Sequence, residues 1–227
     1  MKKGDIIWLA ALAVVVLLLV WPVTHEQVVN GTRQHPLIAG FIKFFILASM
    51  GDLLSMRIVS GKWQKPVGFV YRAIVWGIIG TTIAVFFEVN GKGVAAAIGA
   101  GVLPVSHGNL DKIIAAFWVS LIMNATAGPM TLIFHRFTDT FFDLAEGKFS
   151  KFGSVSAKMV VKHIDWQEFM CFVFKVQTFL WLPVHTVVFL LPPVYRVLAA
   201  AALSVILGAV LGYGKRRSNM AKNQAAA

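Results

Sequence analysis

Six separate apolar runs, each close to the length a helix needs to cross a bilayer, constrain this chain more than any other feature. A hydrocarbon core of ~30 Å takes about twenty mostly apolar residues per helix. Runs of that kind occupy 6–23, 37–58, 67–89, 112–135, 169–191 and 193–214. In hydrocarbon the backbone N–H and C=O groups must find partners within the protein, so the runs read as helices. The composition agrees, at 58% hydrophobic against 14% charged, with a mean hydropathy of +0.74. The fold class is therefore all-α, a polytopic transmembrane helix bundle of about six spans. A further apolar stretch, 93–105, is too short to cross. It is expected to form a re-entrant or interfacial segment, with Ala and Gly suited to close packing against protein.

The placement of basic residues sets the orientation. Of twenty-one Lys and Arg residues, fourteen lie beside alternate span ends, among them Lys2, Lys3, Arg57, Lys62, Arg136, Lys158 and Arg217. Only Arg33, Lys92, Lys112 and Arg196 lie beside the others. This asymmetry predicts six crossings with both termini cytoplasmic. The Lys2-Lys3 start followed by an apolar run has no small-residue cleavage site near Trp21 and Pro22, so the run is read as a retained signal anchor. The expected organisation is an anchor helix and outer loop over 1–34, a bundle over 35–214 and a basic tail over 215–227. The loop 137–167 mixes Asp139, Asp143 and Glu146 with four lysines and apolar residues. It reads either as an amphipathic surface helix or as a solvated loop with partial helix.

The charge of +11 is interspersed between apolar segments, which excludes a nucleic-acid partner; the lipid bilayer is the partner implied. Cys171 stands alone and cannot form an internal disulfide. Gly-x-Ser-x-Gly, His-Glu-x-x-His and phosphate-binding glycine loops are absent, and no cofactor or metal site is implied. Gly51-Asp52 matches part of an aspartyl intramembrane protease motif, but a second intramembrane aspartate is lacking. The chain is read as a non-enzyme.

Ionisable residues inside spans are the default functional candidates. Asp52, Arg72 and Lys175 each lie roughly 8 to 9 Å from the inner ends of their spans at 1.5 Å per residue, so one charged layer is expected. It reads either as a gate whose cationic excess favours anions or as a buried ion pair of Asp52 with Arg72 or Lys175. Lys43 and Glu88 share a level near the outer face. His185 reads as a proton relay or as a hydrogen-bonded packing residue. Asn124, near Gly128 and Pro129, marks a kinked or broken helix. Ala200, Ser204, Gly208 and Gly212 form a small-residue stripe for close helix packing, within the chain or in a homo-oligomer.

Two stretches carry a family resemblance. His35-Pro36 with Gly51-Asp52-Leu53-Leu54-Ser55 is one, and Leu180-Trp181, Pro183, Phe189, Pro193 and Tyr195-Arg196 is the other. Together they resemble the family of the twenty-two-kilodalton peroxisomal membrane protein and the mitochondrial inner-membrane Mpv-seventeen protein. Met56 and Val188 stand where that family has glutamine and asparagine. The resemblance implies a small helical membrane protein with channel-like passage of small solutes, and it marks Asp52, Trp181, His185 and Arg196. The Lys-rich start and retained anchor point to a bacterial inner (plasma) membrane, with an organelle membrane as the eukaryotic alternative. A channel for an unidentified small solute is the leading expectation. A non-transporting scaffold or partner subunit and a proton-coupled transporter remain the alternatives.

Overall fold

Proline punctuates the chain, and the helices follow it. The computed structural model describes residues 2–225 and is all-helical among them. Helix α1 (Lys3–Val20) stops at Trp21, whose extended backbone is what a following proline favours. Pro22 opens α2 (Pro22–Gln34), and Pro36 opens α3 (Pro36–Ser60). Both take the first helical position, where the missing N–H is no loss. Helix α4 (Phe69–Gly99) follows, then α5 (Asp111–Ala125) and α6 (Ala127–Leu144). A 3₁₀ turn (Phe149–Ser154) and the short α7 (Ala157–His163) lead to α8 (Trp166–Val176). A π-turn (Gln177–Trp181) joins α8 to α9 (Leu182–Leu190), and Pro193 opens α10 (Pro193–Ala225). Six helical stretches are long and apolar enough to cross a membrane: Lys3–Val20, Pro36–Ser60, Phe69–Gly99, Asp111–Leu144, Trp166–Leu190 and Pro193–Val210.

Two sequence expectations change, and one of the two open readings of 137–167 is favoured. The outer loop within 1–34 is largely helix α2, held against its neighbours by a Lys43 Nζ hydrogen bond to Thr32 Oγ1 at 2.7 Å. The stretch 93–105 forms no separate re-entrant piece. Helix α4 runs through it for 31 residues, to Gly99, because nothing between Val89 and Gly93 breaks it. Asn90 bonds back to Phe86 O and Glu88 pairs with Lys92, both within the helix. Its ~46 Å length exceeds the hydrocarbon thickness. The loop 137–167 is mostly helical, since α6 continues to Leu144 and presents Phe142 to the core.

Alternate helix ends meet in one layer, as antiparallel crossings require. Lys2 Nζ donates to Gly61 O at 2.9 Å and Arg57 pairs with Asp5 at 2.9 Å, tying the start of α1 to the end of α3. Gly147, at φ 66°, ties the end of α6 to the start of α4: a Cβ there would come within 2.6 Å of Gly68 N. Beside it, Glu146 lies between Lys148 and Lys151, whose ammonium groups hold its carboxyl down at about 2. Helix α1 has no buried residue and stands at the rim, touching α3 through Trp8 Nε1 to Met50 O at 3.1 Å.

Helix α3 is the central post. On one side Gly40 meets Gly80 of α4, and a Cβ on Gly40 would fall 2.6 Å from Gly80 O. On the other, Gly51 meets Ser204 and Gly208 of α10, with a Cβ on Gly51 falling 2.6 Å from Ser204 O. Gly212 lies against Ser55, and Ala200 is buried. The small-residue stripe therefore packs inside this chain. Small side chains let backbones approach and gain dispersion contacts, the main attraction between helices in lipid. Gly51→Ala and Gly208→Ala should each lower unfolding stability in mixed detergent by about 1–3 kcal/mol through overpacking. Gly93→Ala, with nothing within 4 Å of its Cβ, should change it by about 0.5 kcal/mol or less.

Candidate functional site

Two helix breaks stand side by side near mid-height. Pro129 has no N–H for Ala125 O, and the chain breaks at Thr126 (φ −120°, ψ −79°) between α5 and α6. Thr126 Oγ1 back-bonds to Ile122 O at 2.7 Å, and Thr131 Oγ1 to Ala127 O at 2.6 Å. Across from it, Pro183 leaves Phe179 O without its helical donor. The helix widens there, and Leu182 N reaches five residues back to Gln177 O. Widened turns of this kind re-aim side chains and frequently mark functional sites. The two breaks touch at Gly128, where a Cβ would come within 2.6 Å of Gln177 Nε2.

Between them lies a cavity of about 110 Å³ lined by Trp76, Asn124, Gly128, Gln177, Trp181 and His185, among others. A hydrogen-bond chain orders its polar wall. Ser120 Oγ donates to Leu182 O at 2.7 Å, and Asn124 Nδ2 donates to Ser120 O and Oγ at 2.8 and 3.1 Å. Asn124 Oδ1 then faces His185 Nδ1 at 3.2 Å. Trp181 stacks on the His185 ring at 4.8 Å between centroids. Gln177 is only 6% exposed, and its Oε1 has no hydrogen-bond partner among the described residues.

Toward the layer where α1 begins, a larger cavity of about 540 Å³ shares Trp76, Leu132, Trp181, Ser204 and Leu207 with the first. Among the described residues its wall carries Asp52, His135, Asp139, Asp165 and Glu168 beside Arg136. Trp76 Nε1 donates to Asp52 Oδ2 at 2.7 Å, while its ring packs 4.2 Å from that of His135. His135 Nδ1 lies 3.6 Å from Asp139 Oδ2. Toward the opposite end, Phe87 and Phe189, both about 4% exposed, pack with centroids 4.9 Å apart. Phe87 also meets His185 edge-on at 6.0 Å. Beyond this pair lies a third cavity of about 490 Å³ lined by Lys112 and Arg196. Arg196 sits over the Phe189 ring at 5.5 Å and donates to Leu191 O at 2.9 Å.

The structure rearranges the expected charge layer. Arg72 pairs with Asp139 and Asp143, each at 2.7 Å, and bonds Val67 O at 2.7 Å. It does not pair with Asp52. Lys175 is exposed on the outside of α8 and belongs to no cluster. The expected cationic excess becomes an acidic wall, because the extended α6 delivers Asp139 while Lys175 turns away. Lys43 is 9% exposed and bonded to Thr32, whereas Glu88 is exposed and pairs with Lys92 at 2.7 Å, so the two do not meet. Asn124 and His185, expected separately, are brought together. Gln177, His135 and Trp76 were missed. The signal for Gln177 was Pro183 six residues on, whose freed carbonyl demands a local rearrangement. Among the described residues no group of three or more His, Cys, Asp or Glu side chains could hold a metal ion.

The fold and site thus define, among the described residues, an all-α chain with six helices long and apolar enough to cross a membrane, two adjoining cavities that share five lining residues, and a third cavity beside Phe189. Comparison with protein-family models, with curated proteins and with solved structures finds no match. The arrangement makes one structural demand testable. Arg72→Ala, which leaves Asp139 half-buried without its cation, should destabilise by about 3 kcal/mol or more. Arg72→Lys should recover only part of that, because one ammonium cannot span two carboxylates and a carbonyl as the planar fork does. Lys175→Ala should be neutral in the same unfolding assay.

Proposed function

We propose that this chain is a multi-pass integral membrane protein that passes small polar solutes through a gated interior pathway. We assign both termini to the cytoplasmic side on the basic-residue asymmetry. The observation that carries the reading is the series of cavities. An acidic vestibule on the cytoplasmic side opens into a polar pocket at mid-bilayer, and the Phe87–Phe189 pair separates that pocket from a basic cavity on the outer side. Broken helices and irregular backbone at membrane depth are tolerated where they are buried in protein or line a water-filled cavity, and polar midplane sites between discontinuous helices are how membrane pathways are commonly built. The family resemblance supports the same reading, because Asp52, Trp181, His185 and Arg196 all line this series.

In this arrangement Phe87 and Phe189 form the outer gate, an apolar constriction that excludes water. With Asp139 paired to Arg72, Asp52, Asp165 and Glu168 give the vestibule a negative potential, which concentrates cations at its mouth. Passage requires the gate pair to separate while Trp76 and Trp181 admit the solute from below. Protein reconstituted in liposomes should carry small polar solutes faster than empty liposomes in an osmotic shrink–swell assay. Phe189→Ala should raise the rate about tenfold or more by opening the gate. If neither the folded wild type nor Phe189→Ala exceeds empty liposomes for any of a panel of neutral, cationic and anionic solutes, the reading is wrong.

A further inference from the structure

We propose that the mid-bilayer pocket between the α5–α6 break and the π-turn is a binding site for a small primary ammonium cation. The proposal names the solute class for the pathway above and rests on that reading for how the cation arrives.

The hydrogen-bond chain determines what the pocket offers. Asn124 Nδ2 is committed to Ser120, so Asn124 Oδ1 is the atom facing His185 and accepts from it. His185 Nδ1 therefore carries the proton, and in the neutral ring Nε2 is left as a bare acceptor. Gln177 Oε1 is a second acceptor, buried and without a partner. The hydroxyl hydrogens are already used, Thr131 donating to Ala127 O and Ser204 to Ala201 O, which leaves their oxygen lone pairs. Trp76 Nε1 is taken by Asp52. Gln177 Nε2 and Trp181 Nε1 carry the remaining side-chain N–H groups, so acceptors outnumber donors.

No charged side chain lines this pocket, so an anion would meet neither a cation nor a sufficient set of donors. A group with several N–H donors has His185 Nε2 and Gln177 Oε1 as candidate acceptors among the residues that line the pocket. The Trp76, Phe86 and Trp181 rings form part of the remaining wall, beside aliphatic residues such as Ile79, Ile83 and Leu132, and aromatic faces attract cations most strongly where water is excluded. The volume of about 110 Å³ equals a few water molecules at ~30 Å³ each. It accommodates ammonium or a one- to two-carbon alkylammonium. The vestibule beneath carries carboxylates, which attract the same cation.

The test measures binding apart from transport, by equilibrium dialysis of radiolabelled methylammonium against the full chain in nanodiscs at neutral pH. The wild type should bind saturably. Tetramethylammonium, equal in charge but without N–H donors, should compete at least tenfold less well than unlabelled methylammonium. Gln177→Leu and His185→Phe should each weaken binding about tenfold or more. Gln177→Glu, which keeps the acceptor oxygen, should retain binding and shows that position 177 tolerates substitution. Absence of saturable wild-type binding overturns the proposal. So does equal competition by tetramethylammonium together with no loss in Gln177→Leu. Binding without flux in liposomes keeps this site and sinks the pathway, whereas flux without methylammonium binding does the reverse.

Discussion

A backbone carbonyl that loses its helical donor inside a bilayer has no water to turn to, and the centre of this protein is organised around two such losses. Pro129 strands the carbonyl of Ala125 and Pro183 strands that of Phe179. Each unsatisfied group in hydrocarbon costs several kcal/mol, so each freed carbonyl presses for a partner. Ala125, Thr126, Phe179 and Pro183 are exposed on the surface of the bundle, while on the inner side the two breaks meet where Gly128 and Gln177 touch. Hydroxyls at Thr126 and Thr131 engage nearby carbonyls, and the helix re-registers so that Leu182 N finds Gln177 O. Irregular backbone and polar side chains therefore arrive at the same depth for the same reason, and a polar pocket follows.

The pocket also depends on how tightly α3 holds its neighbours. Glycine contacts bring α4 against one side of α3 and α10 against the other, so the three helices form a wall with little room for adjustment. Trp76 of α4 and Ser204 of α10 stand on that wall and face the inner cavity. Helix α5 with α9 closes the opposite side through the Ser120 hydroxyl bonded to Leu182 O. One rigid half built on glycine and one half built on hydrogen bonds leave the cavities at the seam. Helix α1 contributes nothing to that seam, which agrees with reading it as an anchor added to a body of five spans.

Much of this was legible in the sequence. The span count came from run length alone, the packing stripe from its four-residue spacing, and the break in the fourth span from Pro129. Asn124 and His185 were visible as polar residues in apolar runs, but their pairing was not, because a contact between residues sixty-one positions apart has no local signature. The partner of Arg72 was misread for a more instructive reason. The fourth span was ended at His135 because charges follow it. Yet α6 continues for nine residues past that point, presenting Phe142 to the core and Asp139 to Arg72. A helix that leaves the hydrocarbon need not end there. Its periodicity switches from uniformly apolar to amphipathic, and that switch was the available clue.

This reassignment reverses the electrostatic sense of the site. With Lys175 exposed outside the cavity and Arg72 occupied by Asp139 and Asp143, the vestibule wall carries three further acidic groups, Asp52, Asp165 and Glu168, beside Arg136 among the described residues. Field lines in a cleft with low-dielectric walls are focused rather than dispersed, so the sign of those groups decides what enters. At the other end Lys112 and Arg196 give the opposite sign. A cation moving through this sequence leaves a favourable potential, crosses a neutral pocket of acceptors and aromatic faces, and must pass an aromatic pair beside a guanidinium. The outer cavity is thus an electrostatic barrier in series with a steric one. Opening the Phe87–Phe189 pair alone would admit a cation less readily than a neutral molecule of the same size, unless Arg196 swings off the ring as the gate parts. Because Arg196 is held by Leu191 O, at the joint between α9 and α10, the proposed gate residue Phe189 and the charge over its ring rest on the same short piece of backbone.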